Sequence, residues 1–180
     1  SSFVSIREHL EKGILDIGFC PKFEFEDSRK IETRVVLRQK MGFLVSKKNP
    51  LARKNSVHVR ELDGAPTISI APEDGGRGYS EFFKARERDG ITANVVELVD
   101  SGEVMRLLVS MNRGGAYLPS KTAFYDRETC KLLSIEGSYD VSETALAWNK
   151  GSETKAVQHL LELLFHFFKN DYEEWRKKRS

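Results

Sequence analysis

Three places in this 180-residue sequence carry side chains whose type and spacing could do chemistry. The first is Pro72-Glu73-Asp74-Gly75-Gly76-Arg77-Gly78. Its glycines could let a backbone cradle a phosphate. The Lys-Ser/Thr of a P-loop is missing, however, and the two adjacent carboxylates would repel phosphate, which excludes a nucleotide loop. The second is Cys20-Pro21, directly after an apolar run. A nucleophile can sit at the end of a strand, but Pro21 occupies the place where a helix would begin to lower the thiol pKa, and no Gly-x-Ser-x-Gly elbow occurs anywhere. Cys20 and Cys130 are too few and too far apart for a metal site and read as buried small hydrophobes rather than a redox pair. The third is His159 and His166, seven residues apart with no further ligands nearby, which places them as surface or half-buried helix residues rather than a metal pair. With no dinucleotide-binding glycine fingerprint and no clustered metal ligands, an enzyme is the weaker class. No catalytic residue, metal or cofactor is expected.

Charge narrows the partners. The 29 basic and 27 acidic side chains leave a net charge of +2 and are spread along the chain, so no basic face for neutralising phosphates stands out and the chain by itself is not expected to bind DNA. The cluster Arg176-Lys177-Lys178-Arg179 follows Asp171, Glu173 and Glu174 and reads as a solvated helix end, where cations favour the negative end of the dipole. With 39% hydrophobic residues the chain can bury a sizeable core. No run approaches the roughly 18 apolar residues of a membrane span, and Ser1-Ser2-Phe3 does not open a secretion signal, so no membrane contact and a cytoplasmic location are expected.

The elements that must position these residues are organised around Val95 to Pro119. Val95, Val96 and Leu98 form a strand ended by Asp100 and Ser101, which can cap a helix. Val104, Leu107, Leu108 and Met111 then fall at i, i+3, i+4 and i+7, a stripe expected to face the helix's own sheet. Asn112-Arg113-Gly114-Gly115 breaks the period before Ala116-Tyr117-Leu118 resumes as a strand. Strands joined through a helix are parallel in nearly every case, so this β-α-β unit predicts an α/β sheet.

The remaining elements follow the same pattern. Ser5 to Glu8 has capping-box spacing and opens a short helix stopped by Gly13, and Leu15 to Phe19 is a buried strand. Pro21 to Glu32 reads as a surface excursion before strands at Val35-Leu37 and Gly42-Ser46, and Val57 to Leu62 as a short strand or helical turn. Thr67 to Ala71 is a strand leading into the Pro72 loop, and Tyr79, Phe82 and Phe83 mark a helix stopped at Gly90. Ser120 to Tyr125 reads as a brief helix, and Lys131-Ile135 and Thr144-Trp148 as strands. The long terminal helix should bury Val157, Leu160, Leu161, Leu164 and Phe168, widened by Ala156, Leu163 and Phe167.

In this order and spacing the chain resembles the effector-binding domain of LysR-type transcriptional regulators. The resemblance rests on Val96-Glu97, Leu108-Val109, Gly114-Gly115 and Leu118-Pro119, on Leu10 to Gly18, and on Asn49-Pro50-Leu51-Ala52, where asparagine replaces the family's usual histidine. It runs from about Ser2 to Lys169. No single motif is specific; the combination is.

The resemblance implies an α/β, type 2 periplasmic-binding-protein-like fold, in which two α/β subdomains joined by two crossover strands close over a small-molecule effector. Subdomain I would comprise residues 1–41 and 136–180, and subdomain II residues 42–135. The fold would be N-terminally incomplete, because the family's winged helix-turn-helix domain and the opening strand-helix-strand of subdomain I are missing. DNA would be reached only through that missing domain. The implied function is ligand sensing and homo-oligomerisation in a bacterial transcription regulator, with the helix Ser101 to Met111 among the pairing positions. The alternative is a transporter's solute-binding protein, and an enzyme on the same fold is a third possibility. Effector contacts would come from the hydroxyls of Ser1 or Ser2 and from Glu73 and Asp74 on the loop. Two carboxylates there favour a polar neutral or cationic effector over an anion. The competing reading has Asp74 capping the Tyr79 helix and Glu73 in water.

Overall fold

A computed structural model describes residues 3–122, 125–151 and 154–177, and their side chains except at 3–4, 74–75 and 169–177. The chain divides into two compact units, one of residues 1–39 with 142–180 and one of residues 40–141.

In the first unit, helix α1 (Phe3–Glu11) precedes strand β1 (Ile17–Pro21), which pairs antiparallel with β8 (Val141–Asn149), Ile17 opposite Trp148 and Phe19 opposite Leu146. β8 lies between β1 and the first half of β2 (Ile31–Ser46). Alternate residues of β8 face opposite sides, as a pleated strand requires. Ala147 joins Leu10, Cys20, Phe25 and Ile31 in one core, while Leu146 and Trp148 join Val36, Val157 and Leu161 in a second, covered by helix α5 (Lys155–Lys177). Three expectations are corrected here. Ser5 lies inside α1 rather than at its cap, because the helix is already formed at Phe3. The excursion after Pro21 includes a 3-10 turn, Lys22–Phe25, that buries Glu24 and Phe25. Helix α5 buries a narrower face than expected: Val157, Leu161, Leu164 and Phe168 pack as the sequence indicates, with Phe165 beside them, but Leu160 and the flanking Ala156, Leu163 and Phe167 are exposed.

The second unit contains the rest of β2, β3 (Ser56–His58), β4 (Pro66–Ile70), α2 (Pro72–Gly75), α3 (Gly78–Asp89), β5 (Asn94–Val99), α4 (Gly102–Ser110), β6 (Ala116–Pro119) and β7 (Cys130–Glu136). β7 pairs parallel with β3 and antiparallel with β2, β2 pairs antiparallel with β6, and β4 pairs parallel with β5. A parallel bridge between Thr67 and Gly115 joins β4 to β6, held by Ile68 N–H donating to Gly115 O at 2.8 Å and Gly115 N–H to Pro66 O at 2.9 Å. The strand order is therefore β5-β4-β6-β2-β7-β3. The strand-helix-strand unit read from the sequence is present, with β4 inserted between its two strands.

Both faces of this sheet are covered, and that explains the continuous apolar run Phe43-Leu44-Val45. Phe43 and Val45 enter a core with Val57, Leu62, Leu133 and Ile135, while Leu44 faces Ile68, Val99, Met105, Val109 and Ala116. Val57 to Leu62 resolves into β3 and a 3-10 turn, Val59–Leu62, closed by a reciprocal His58–Glu61 capping box.

Three further expectations differ. β2 is one 16-residue strand rather than two, since the polar Arg38-Gln39-Lys40 stretch continues in the extended conformation. The brief helix expected at Ser120 to Tyr125 is, among the described residues, a turn in which Thr122 N–H donates to Pro119 O at 2.9 Å. Helix α4 buries Met105 and Val109 with Leu108 beside them, leaving Val104, Leu107 and Met111 exposed at 39%, 58% and 60%. The apolar stripe expected to face the sheet mostly faces water.

Candidate functional site

β4, β5 and β6 run parallel, so their carboxyl ends deliver three connections to one edge of the second unit's sheet: 71–77 after β4, 100–101 after β5 and 120–122 after β6. Such an edge is where open α/β sheets bind ligands, because helix N-termini and polar loops converge there. The first connection is fixed by Ala71 N–H donating to Val99 O at 2.8 Å. It then forms the single helical turn α2, with Pro72 pre-set at its start, and passes through Gly76 to α3.

Glu73 lies on this turn and is exposed. Asp74 is on the same turn, with a side chain outside those described. The N-cap position of α3 is Arg77, and the expected capping of the Tyr79 helix by Asp74 rests on a side chain outside those described. Ser1 and Ser2 lie outside the described residues.

At the second connection Ser101 Oγ accepts from Val104 N–H at 3.4 Å, which makes it the cap of α4 as the sequence indicates. The carboxyl of Glu103 is held below the ordinary glutamate range, first by a backbone N–H of the helix start and then by Arg106. α4 thus already carries its own anion at its N-terminus. The third connection, Ser120-Lys121-Thr122, brings two hydroxyls and an amine to the same edge. Sequence reading missed it because the stretch was assigned to a helix; the parallel relation of β6 to β4 would have signalled it.

Chemistry of the nucleophilic kind has no support at Cys20, which is 1% exposed and whose thiol burial pushes up to about 12. Burial also raises the Cys130 thiol. No group of three or more His, Cys, Asp or Glu that could hold a metal occurs among the described residues, and His159 and His166 are exposed on α5.

A second polar constellation was invisible in the sequence. Arg86 of α3 is 2% exposed, yet its Nη2 donates to Asp140 Oδ2 at 2.6 Å and to Asp89 Oδ2 at 3.3 Å. Asp89 also accepts from Ser138 Oγ at 2.6 Å and from Tyr139 N–H at 2.8 Å. Among the described residues Nε and Nη1 of Arg86 have no hydrogen-bond partner; the guanidinium lies over the Tyr117 ring, 3.8 Å from its centroid, with Phe82 at 5.4 Å. Burial pushes the Tyr117 hydroxyl up to about 12, against the opposing charge of Arg86.

The family model for the LysR substrate binding domain matches residues 2–169. Among curated proteins, the HTH-type transcriptional regulator AlsR of Bacillus subtilis (strain 168) is 24% identical over 164 residues, covering 87% of this chain and 51% of AlsR. The chain thus spans about half the length of that relative. Among solved structures, the effector binding domain of QuiR in complex with shikimate superposes with a TM-score of 0.79 at 21% identity, over 94% of this chain and 79% of QuiR's. The CcmR regulatory domain of Synechocystis PCC6803 in complex with 2-PG gives 0.76 at 16% identity, over 94% of this chain and 81% of CcmR's. At these identities the superpositions speak for the fold, a type 2 periplasmic-binding-protein-like α/β architecture. No helix among the described residues is long and apolar enough to cross a membrane.

Proposed function

The chain belongs to the LysR substrate-binding domain family, and from that premise we propose that it is the ligand-sensing and oligomerising part of a cytoplasmic transcription regulator, taking a small polar effector at the carboxyl edge of the second unit's sheet. The observation that carries the effector reading is the convergence of three polar connections on that edge, after β4, β5 and β6. Its four carboxylates, Glu73, Asp74, Asp100 and Glu103, outnumber its three cations, Arg77, Arg106 and Lys121, so the effector is polar and neutral or cationic, such as an amino acid or an amine. The two units are the regulatory subdomains I and II of the family.

The domain works by binding rather than turnover, without metal or cofactor. An effector that binds one arrangement of the domain better than another shifts the population between them, and that shift is its output. DNA contact belongs to another part of the regulator, in keeping with the evenly mixed charges of this chain. Its own partner is a second copy, met through the exposed Val104, Leu107 and Met111 of α4. The relatives' names, a transcriptional regulator and effector or regulatory domains, favour this sensor over a transporter's solute-binding protein.

A thermal-shift screen of amino acids, amines and dicarboxylates tests the effector reading. A ligand at a hundred times its Kd adds about 2.7 kcal/mol, worth about 5 to 10 °C for a domain of this size. An amino acid or amine should produce such a shift, reduced in Glu73→Gln and Asp74→Asn. Stabilisation by dicarboxylates alone, unchanged in both variants, would defeat the assignment.

A further inference from the structure

The segment Gly137-Ser138-Tyr139-Asp140 carries the chain from β7 to β8, at the point where it leaves the second unit. It starts with Gly137 at φ 74°, where a Cβ would stand 2.6 Å from His58 Nε2, so the reversal needs glycine. Three polar groups then tie it to the last turn of α3: Ser138 Oγ and Tyr139 N–H donate to Asp89, and Asp140 accepts from Arg86. Within the segment, Asp140 N–H donates to Ser138 Oγ at 3.1 Å, which sets the turn that presents its carboxylate to Arg86. The Tyr139 side chain is 74% exposed, so the segment is held by its backbone and by its two polar neighbours. Asp140 O also accepts from Met41 N–H at 3.3 Å, so the other strand at this boundary is joined to the same residue.

The opposite end of α3 begins directly after the 71–77 connection. A 12-residue helix is a rigid rod of about 18 Å. α3 therefore has the candidate effector loop at its N-terminus and the crossover segment at its C-terminus. The tie itself is buried, with one cation held against two carboxylates and stacked on Tyr117. A buried ion cluster adds little stability over a well-packed apolar one, but it is directional, because its bonds hold only in one geometry.

We propose that Arg86 and Asp89 are positioning residues that clamp the crossover 137–140 to α3, making α3 the link through which an event at the 71–77 connection reaches the point where the chain leaves the second unit. The proposal rests on the effector reading for what that event is, while the coupling is a property of the unliganded protein.

Hydrogen exchange read by mass spectrometry on the unliganded chain tests it, using Asp140→Asn, which keeps the shape and removes the charge, and Ser138→Ala, which removes one bond to Asp89 and the acceptor of Asp140 N–H. Both variants should speed exchange at 138–142 roughly tenfold or more, the factor that loss of a charge-assisted hydrogen bond corresponds to. Exchange at 78–82, in the first turns of α3, should rise with it, while the strands 43–46 and 131–135 keep their protection. Faster exchange across the whole second unit would mean a purely structural role and overturn the proposal. A change confined to 138–142, with 78–82 unaltered, would overturn it as well. The outcome is independent of ligand: a metabolite screen with no hits would remove the effector reading and leave this coupling standing.

Discussion

A methyl group at position 115 has no room. Its Cβ would stand 2.2 Å from Cζ of Phe43, and that ring is held edge-on to Tyr117 at 4.9 Å between centroids. Gly115 also forms both hydrogen bonds that join β6 to β4, so the backbone cannot retreat. Gly115→Ala should therefore lower stability by about 2 to 3 kcal/mol in urea denaturation, the ordinary cost of overpacking a fixed site; an unchanged midpoint would show that Phe43 can turn aside. The sequence displays Gly114-Gly115 only as a break after a helix, because the ring that makes the second glycine necessary lies far away along the chain. Cys20 makes a second residue-scale case. Burial raises its folded-state pKa to about 12 from the ordinary thiol value of 9.0, so the stability tied to the neutral thiol is full below about pH 9 and is lost as pH rises towards 12. Unfolding followed from pH 8 to 11 should show falling stability with a shallower slope in Cys20→Ala, and equal slopes would mean the thiol is not the group titrating.

At the scale of elements, the type of most segments was legible, while the buried face was misread in α4 and read too broadly in α5. Alternating strand and helix patterns gave the α/β class, the strand-helix-strand around α4 and the terminal helix. In α4, however, Val104, Met105, Leu107, Leu108, Val109 and Met111 are apolar, covering more than half the helix, and two overlapping stripes fit the same periodicity. Packing against Leu44, Ile68 and Ala116 selects Met105 and Val109. α5 is ambiguous in the same way, which is why Phe165 was missed and Leu160, Leu163 and Phe167 were misplaced. The Arg86 cluster could not be read at all, since Asp140 and Ser138 lie 54 and 49 residues from their partners. The candidate site was legible where one loop carried it, at Glu73 and Asp74, and not where strand order brought in residues 120–122. The phase of α4 can be measured. Met105→Ala should cost about 2 to 4 kcal/mol, whereas Leu107→Ser should change stability by no more than about 0.5 kcal/mol. Leu107→Ser should nevertheless weaken self-association in light scattering. Equal destabilisation by the two substitutions would mean that the helix is turned the other way.

On the scale of the whole molecule, the two units differ in how the chain builds them. The first is assembled from two separated segments, residues 1–39 and 142–180, so neither segment can complete it alone. β1 and β8, its paired strands, come one from each. The second is a single stretch, 40–141, that contains both partners of every strand pair of its sheet, both of its apolar cores and the buried Arg86 cluster. Its ends are tied within it: Ser120 N–H donates to Lys40 O at 2.9 Å, and Met41 N–H donates to Asp140 O. A stretch of about 100 residues buries enough of its surface to fold alone. Residues 40–141 expressed by themselves should accordingly unfold in one cooperative urea transition, with near-ultraviolet circular dichroism reporting Tyr117 and Phe43 packed. In the intact chain, the tryptophan fluorescence transition, which reports the first unit because Trp148 and Trp175 both belong to it, should come at lower urea than the loss of hydrogen-exchange protection in β2 and β7. Among the described residues the first unit also buries fewer apolar side chains, 11 against 16 in the second. A fragment 40–141 that is unfolded, or coincident transitions in the intact chain, would show that the second unit depends on the first for its stability.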